Sequence, residues 1–164
     1  MAASSSLPPI ENAPYDPRVI YLLRHGEAER GDGDDAARRL TDKGKRQSEI
    51  AGRALAALGV ALDACLTSPK VRAADTAQLA CPALGIEPEV ADELSGGGFD
   101  AFGLAAGRGE TMLVGHEPAL SNEIARLAGA KVKLKKGGLA IIDGNTLVAL
   151  LRPDDLATIA ASRD

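Results

Sequence analysis

The chain has 164 residues, of which 45% are hydrophobic, and its formal net charge is −4 at pH 7. A chain of this length buries enough surface for one stable domain without disulfides. Its acidic balance gives no general attraction to nucleic acid or anionic membranes, and two Tyr, two Phe and no Trp are too few for a base-stacking platform. We therefore expect no nucleic-acid partner.

The N-terminal stretch, residues 1–17, is rich in Ala, Ser and Pro without periodicity, which favours a flexible arm before a single domain over 18–164. The arm lacks the basic and apolar regions of a signal peptide, and no segment approaches the ~20 apolar residues of a membrane span. Two cysteines in apolar surroundings, Cys65 and Cys81, predict buried free thiols. We expect a cytoplasmic protein with no membrane partner.

The first predicted element is a buried strand, Val19–Leu23, because a near-continuous apolar run is typical of a strand covered on both faces. A helix follows over Asp42–Leu58, where the apolar residues recur at helical spacing. Thr41 is its predicted N-cap and Gly59 its predicted stop. This helix would cross from the first strand to the second.

The second predicted strand is Ala64–Ser68. It leads into a second helix that reaches about Ala80, with Ser68 as the predicted N-cap and Pro69 as the first helical residue. The alternation of strand, helix and strand predicts parallel pairing with right-handed crossovers.

The third predicted strand, Thr111–His116, is followed by a helix that begins at Pro118. Near the C-terminus, Leu139–Asp143 and Thr146–Leu151 are separated by only Gly and Asn, which predicts an antiparallel hairpin at the edge of the sheet. A short helix is predicted over Asp154–Ala161. The expected fold class is α/β, a three-layer α/β/α sandwich with a mostly parallel central sheet and an antiparallel C-terminal edge hairpin.

Cationic side chains follow the ends of the predicted strands. The first strand ends in Arg24 and His25, the second leads to Arg72 one turn into a helix, and the third ends in His116. The carboxyl ends of parallel strands share one edge of a sheet, where open α/β folds bind their ligands. We therefore expect two arginines and both histidines of the chain to lie together.

This combination predicts a phosphate site. Arginine binds phosphate oxygens in bidentate geometry, and the N-termini of the following helices add N–H donors. The chain has no Gly-rich loop followed by Lys, and two histidines without a Cys cluster make a poor transition-metal site, so we expect neither a metal nor a cofactor. A neutral imidazole can instead attack phosphorus and form a phosphohistidine that water resolves.

Each residue alone also has an ordinary structural interpretation. His25 or His116 can be satisfied by backbone hydrogen bonds, and Arg24 or Arg72 can lie on a solvated surface. Their joint placement at the predicted strand ends favours a site.

Four motifs, in this order, resemble the histidine phosphatase superfamily, the phosphoglycerate-mutase-like phosphatases: LLRHGE, LTDKGKRQ, SPKVRAADTA and VGHEPAL. The short length and the segments VGHEP and KKGGLAIID are most similar to its small SixA-type phosphohistidine phosphatase branch. The resemblance covers roughly Val19 to Leu151. It also implies the α/β sandwich predicted above.

The resemblance implies a role for each matching position. His25 would be the phosphorylated nucleophile, and Arg24, Arg72 and His116 would hold and stabilise the phosphoryl group. Gly26 would let the backbone approach closely, since it has no Cβ.

The general acid is where the chain departs from the larger family members, which carry a Glu in a longer segment. The corresponding region here is ADELSGGGFD, and Glu93 is the nearest candidate, with a solvated loop acid as the alternative interpretation. An alkoxide leaving group, with a parent acid near ~15.7, needs a proton from the enzyme, whereas imidazole, with a pKa of ~6.5, leaves already protonated. A short site without a secure acid therefore favours phosphohistidine as the substrate.

Three functions remain open from the sequence. The first is a phosphatase of phosphohistidine on a signalling or phosphotransfer protein. The second is a phosphatase of small phosphomonoesters or nucleotides, for which Glu93 must act as an acid. The third is a module that binds phosphorylated protein without turnover.

Other charged residues have weaker interpretations. Arg38 and Arg39, in a charged loop, are candidates for substrate contact, and Asp75 and Glu117 are candidates for orienting the arginines or His116. The basic run 131–136 has three interpretations. It would line the rim of the site, bind the acidic surface of a partner, or form a charged edge strand that resists aggregation.

Overall fold

A computed structural model of the protein describes residues 19–31 and 33–163. The arm predicted for residues 1–17 lies outside this part of the chain. Six strands form one sheet: β1 (Val19–Arg24), β2 (Ala64–Thr67), β3 (Pro88–Val90), β4 (Thr111–Gly115), β5 (Leu139–Asp143) and β6 (Thr146–Leu151). The α-helices among the described residues are α1 (Asp42–Ala57), α2 (Val71–Ala80), α3 (Ala101–Ala105), α4 (Ala119–Ala128) and α5 (Pro153–Ala161).

The strand order is β3-β2-β4-β1-β5-β6. The first four strands in this order pair in parallel, and β5 and β6 continue the sheet in antiparallel pairing. The predicted mostly parallel sheet with a C-terminal edge hairpin is confirmed. Gly144 in the hairpin turn has a φ of 61°, a left-handed conformation that glycine adopts without strain.

Side chains of β1 alternate between two apolar layers. Ile20 and Leu22 pack in a cluster with residues of α3 and α4, whereas Tyr21 and Leu23 pack in a cluster with residues of α1, α2 and α5. Successive side chains of a strand point to opposite faces, so a run without polar residues requires helices on both sides. The predicted three-layer sandwich is therefore confirmed.

The first helix begins where the sequence predicts. The Thr41 hydroxyl accepts a hydrogen bond from the amide of Gly44 at 3.0 Å, and Gly59, just beyond the helix, has a φ of 79°. Both predicted thiols, Cys65 and Cys81, are free and buried. Within residues 19–31 and 33–163, no helix has the length and hydropathy needed to cross a membrane.

The predicted start of the second helix is wrong, and one of the three interpretations of the basic run is excluded. The second helix begins at Val71 and not at Pro69, because the Ser68 hydroxyl closes a turn by accepting from the amide of Lys70 at 3.1 Å. The basic run 131–136 is a loop and not an edge strand. The short strand β3 and the helix α3 were not predicted, because elements of three and five residues show no clear periodicity.

Candidate active site

The ends of β1, β2 and β4 bring the predicted site residues together. Arg24 lies opposite Gly115 in the register of β1 and β4, so His25 and His116 follow from adjacent strands. Their ring centroids are 5.2 Å apart. Arg72, in the first turn of α2, completes the group. His25, Arg72 and His116 are only 5–6% exposed.

A short hydrogen bond at Nδ1 orients the His25 ring. Its Nδ1 lies 2.7 Å from the carbonyl oxygen of Gly26. A carbonyl only accepts, so Nδ1 carries the proton and Nε2 of the neutral ring keeps its lone pair. The Nε–H of Arg72 points to this Nε2 at 3.4 Å. The buried Nε2 lone pair of His25 therefore lies beside the guanidinium of Arg72.

His116 is oriented by the end of β2. Its Nε2 lies 2.8 Å from the Ser68 hydroxyl, which the pairing of Ser68 with β4 through the Val114 carbonyl holds in place. The other ring nitrogen, Nδ1, is buried and has no hydrogen-bond partner among the described residues. A buried unpaired polar atom is costly unless a ligand or water satisfies it.

Arg24 is anchored on the opposite side of the site. Its Nη1 donates to the carbonyl oxygen of Leu134 at 2.8 Å, while its buried Nε, like Nδ1 of His116, has no partner in the described part of the chain. Glu117 does not contact Arg24 through a hydrogen bond. Its carboxylate accepts from the amides of Leu134 and Ser121 and so fixes the loop that holds Arg24.

Both histidines are held neutral. Burial, followed by the charges of Arg72, Arg24 and Arg38, lowers the pKa of His25 to about 4, although its hydrogen bond with Gly26 opposes the change. Burial, followed by His25, Arg72 and Lys70, lowers the pKa of His116 to about 3. At pH 7 the site therefore combines two neutral imidazoles with two guanidinium groups.

Gly26 makes a close backbone approach, but to α1. A Cβ at this position would lie 2.5 Å from the carbonyl oxygen of Gly44, and a Cβ on Gly44 would collide with the carbonyl of Glu27. The contact between the two glycines fixes the turn after His25 against the first turn of the helix.

Thr76 is a supporting residue of the site that was not predicted from the sequence. It is fully buried, and its hydroxyl accepts from the amide of Gly26 at 3.1 Å and donates to the carbonyl of Arg72 at 2.7 Å. It thereby connects the turn after β1 with the helix that carries Arg72. Its position one helical turn beyond Arg72, in the motif SPKVRAADTA, is the signal that could have found it.

Asp35 was missed as well. It lies in a short 3₁₀ turn of the charged loop, and its carboxylate contacts Arg72, Arg38 and Lys70 at 3.1 to 3.4 Å. These hydrogen bonds, led by that of Arg72, lower the pKa of Asp35 to about 2. Arg38 and Arg39 were candidates for substrate contact. Arg38 forms an ion pair with Asp35, which contacts Arg72, whereas Arg39 lines a different cleft.

Two other candidates form no hydrogen bond with either histidine. Glu93 is exposed on a 3₁₀ turn and lines a shallow depression with Phe99 and Asp100. It makes no hydrogen bond or ion pair within the described residues, so its role as an acid stays a prediction. Asp75 is exposed and lines the same cleft as Arg39.

No group of three or more His, Cys, Asp or Glu side chains that could hold a metal occurs in residues 19–31 and 33–163.

Comparison with known proteins agrees with this geometry. The family model of the histidine phosphatase superfamily, branch 1, matches residues 20–102. An uncharacterised protein of Picosynechococcus is 36% identical over 134 aligned positions, which cover 73% of this chain and 81% of that protein. The chain belongs to the histidine phosphatase superfamily. Membership of this family supports phosphatase activity, in which water cleaves the bond between a phosphoryl group and its carrier.

Solved structures place the fold of this histidine phosphatase with SixA-type members. The protein designated phosphohistidine phosphatase SixA from Agrobacterium tumefaciens is 26% identical with a TM-score of 0.74, and the alignment covers 84% of this chain and 99% of that one. A protein histidine phosphatase SixA solved with tungstate has the same TM-score at 22% identity, which shows the shared fold.

A second group of relatives matches a shorter part of this histidine phosphatase. The mitochondrial serine/threonine-protein phosphatase Pgam5 of Drosophila yakuba is 40% identical over 73 residues, which cover 44% of this chain and 25% of Pgam5. The chain thus spans a quarter of the length of that relative.

Proposed function

We propose that the protein is a cofactor-independent phosphatase that removes the phosphoryl group from phosphohistidine on a signalling or phosphotransfer protein. One observation carries the proposal: the buried Nε2 lone pair of His25 lies beside Arg72, while one buried nitrogen of Arg24 and one of His116 have no partner among the described residues. A nucleophile and two buried nitrogens available to a ligand match the needs of phosphoryl transfer.

The first chemical step is attack by His25. Its Nε2 forms a bond to phosphorus while the bond between phosphorus and the leaving group breaks. Arg24 and Arg72 stabilise the negative charge on the three peripheral oxygens. In the tautomer of His116 that carries its proton on Nδ1, Nε2 accepts a hydrogen bond from the Ser68 hydroxyl, and Nδ1 joins the arginines as a donor to the phosphoryl group.

The second step is hydrolysis of phospho-His25. Water attacks phosphorus, the bond between phosphorus and Nε2 breaks, and inorganic phosphate leaves with the free imidazole restored. The hydrogen bond from Nδ1 of His25 to Gly26 keeps the ring in one tautomer and one orientation through both steps.

The substrate class follows from the leaving group. Imidazole, with a pKa of ~6.5, takes its proton from solvent, whereas an alkoxide needs a protein acid. The Asp35 carboxylate contacts Arg72, and its pKa is lowered to about 2. It is therefore ionised at neutral pH and is a poor proton donor. Among the described residues no carboxylate hydrogen-bonds either histidine, which supports phosphohistidine over esters as the substrate.

A parallel assay tests the proposal. Phosphate release is measured from a phosphohistidine-bearing phosphotransfer domain and from p-nitrophenyl phosphate, with wild type and His25→Ala. We expect release from the protein to exceed release from the ester, loss of both in the variant, and an acid-labile phosphoryl group on the quenched wild-type enzyme. Release above background that His25→Ala leaves unchanged would overturn the role of His25. No release above background by the wild type from either substrate would favour a non-catalytic module.

Hydrolysis of small phosphomonoesters is the second candidate. Its support is the exposed Glu93, whose turn leads into a glycine-rich loop that lies near the Lys70 side chain at the mouth of the site. Loss of ester hydrolysis in Glu93→Gln, with phosphohistidine hydrolysis intact, would assign Glu93 as the acid for esters. Unchanged ester hydrolysis would remove Glu93 from the site.

A further inference from the structure

A basic cleft of about 670 Å³ lies beside the candidate active site. It is formed by the loop 131–138, the start of α1 and the start of α5. Six cationic side chains line it: Arg24, Lys43, Lys133, Lys135, Lys136 and Arg152. Only two lining residues, Glu27 and Asp154, are acidic. In a chain with a net charge of −4, this local excess of positive charge indicates a preferred location for anions.

The loop lysines carry most of the free charge in the basic cleft. Arg152 pairs with Asp155 at 3.2 Å, and Lys43 lies 3.9 Å from Glu27. By contrast, Lys133, Lys135 and Lys136 form no ion pair within the described residues, and all three are exposed. Their charges are therefore available to a partner.

The basic cleft is continuous with the phosphate site. Lys133 and Lys135 flank Leu134, which is 1% exposed and whose carbonyl accepts from Nη1 of Arg24. The amide of Leu134 donates to Glu117 at 3.0 Å. The backbone that carries the lysines is therefore fixed to an arginine of the candidate active site, and an anion in the cleft would lie next to a phosphoryl group bound there.

We propose that the basic cleft docks an acidic segment of the phosphorylated protein, adjacent to the residue that carries the phosphoryl group. This inference rests on the proposed function and specifies its substrate. Exposed lysines on flexible stems fit the spread carboxylates of a protein surface, whereas a nucleotide would need stacking partners and the lining contains no aromatic residue.

Charge reversal within one loop tests the docking. Lys135→Glu changes a lining residue, and Lys131→Glu makes the same change of net charge at an exposed position of the same loop outside the cleft. The substrates are two phosphohistidine peptides that differ only in four flanking positions, all Asp or Glu in one and all Ser in the other. The readout is the ratio of their kcat/KM values, so that a general loss of activity cancels.

We expect wild type and Lys131→Glu to prefer the acidic peptide, and the preference to fall about fivefold or more in Lys135→Glu, mainly through KM. It should also weaken as salt is raised. A wild-type ratio near one, or the same ratio in both variants, would overturn the docking.

A binding assay separates failure of the docking from failure of the proposed function. Fluorescence anisotropy measures the unphosphorylated acidic peptide against wild type and both variants. Binding that depends on Lys135, without turnover of either phosphopeptide, would retain the acidic ligand and reject phosphohistidine as the substrate. Equal binding of a single-stranded oligonucleotide of matched charge would overturn an acidic protein segment as the occupant.

Discussion

The Asp35 carboxylate lies 3.2 Å from Nη2 of Arg72, and the Asp35 carbonyl oxygen accepts from Nη1 of the same guanidinium at 2.8 Å. Both terminal nitrogens of Arg72 are therefore engaged by one residue of the loop after β1. A bound phosphoryl group would need at least one of these nitrogens, because guanidinium recognises phosphate through paired N–H donors. Asp35 thus competes for the donors proposed to bind substrate.

The first prediction concerns this competition. Asp35→Asn should tighten inhibition by tungstate about two- to fivefold, because an exposed carboxylate that competes with the anion is removed. The assay is inhibition of p-nitrophenyl phosphate hydrolysis. Asp34→Asn is the matched control, since it makes the same charge change in the same loop, where Asp34 caps the turn and does not contact Arg72. An equal effect of both variants would indicate net charge as the cause.

The second prediction concerns the pH dependence of the nucleophile. With its pKa lowered to about 4, His25 should stay neutral from pH 8 to pH 5 and become protonated only below this range. Because the chain contains two histidines, NMR titration of the ring protons resolves them, and His116→Gln assigns the pair. We expect no titration between pH 5.5 and 8. A midpoint near 6.5 for His25 would contradict a buried neutral ring.

The third prediction concerns stability. In the unfolded chain both histidines take up protons near pH 6.5, whereas in the folded protein His25 and His116 do so only near pH 4 and pH 3. The unfolded state therefore binds more protons between these values, and the free energy of unfolding should fall as pH drops from 6.5 towards 4. The maximum slope is about 1.4 kcal/mol per pH unit for each histidine.

Urea unfolding at pH 7, 6, 5 and 4.5 measures this slope. His116→Gln is the internal control. In this variant the change of the unfolding free energy with pH should be smaller by the contribution of one histidine. A free energy of unfolding that stays constant across this range would contradict the lowered pKa values.

The fourth prediction concerns the contact between Gly26 and Gly44. Gly26→Ala would place a Cβ 2.5 Å from the Gly44 carbonyl oxygen. Because the clash is with backbone atoms, it can be relieved only by moving one of the two backbone segments. We expect a loss of about 1–3 kcal/mol in the free energy of unfolding and a loss of phosphatase activity, because the turn that orients His25 must shift. Gly98→Ala, where a Cβ meets nothing within 4 Å, should leave both unchanged. Equal stability of the two variants would contradict the close packing.

The fifth prediction concerns Thr76. Thr76→Val keeps the shape but removes the acceptor for the Gly26 amide, and a buried unpaired amide costs about 1–3 kcal/mol. Phosphate release should fall with stability, since this hydroxyl links Gly26 to the helix of Arg72. Thr76→Ser should restore most of both, because the hydroxyl is retained. Wild-type stability and activity in Thr76→Val, with losses in Thr76→Ser, would assign the role to the methyl group and contradict the role of the hydroxyl.

Much of the architecture was predictable because it depends on local patterns. Apolar runs of β1, β2 and β4, the Thr41 cap and the Gly-Asn hairpin turn each carry their signal within a few residues. The start of α2 was not predictable in this way. Ser68 has the side chain of an N-cap, but its hydroxyl closes a preceding turn and contacts His116, a residue 48 positions away.

The supporting residues of the site depend on distances that no short pattern encodes. Asp35 reaches Arg72 across 37 positions, and Thr76 reaches Gly26 across 50. Glu93 illustrates the converse, because its sequence position suggested an acid while the structure leaves it exposed and without a hydrogen-bond partner among the described residues.

The parallel core and the positions of Arg24, His25, Arg72 and His116 at its carboxyl edge follow from the amino-acid pattern, because parallel strands bring their ends to the same side of the sheet. Three features depend instead on the packed fold: the nitrogen of His25 that keeps its lone pair, the carboxylate that contacts Arg72 and the position of the loop lysines. Those features depend on hydrogen bonds and burial between distant segments, which exist only after the layers have packed.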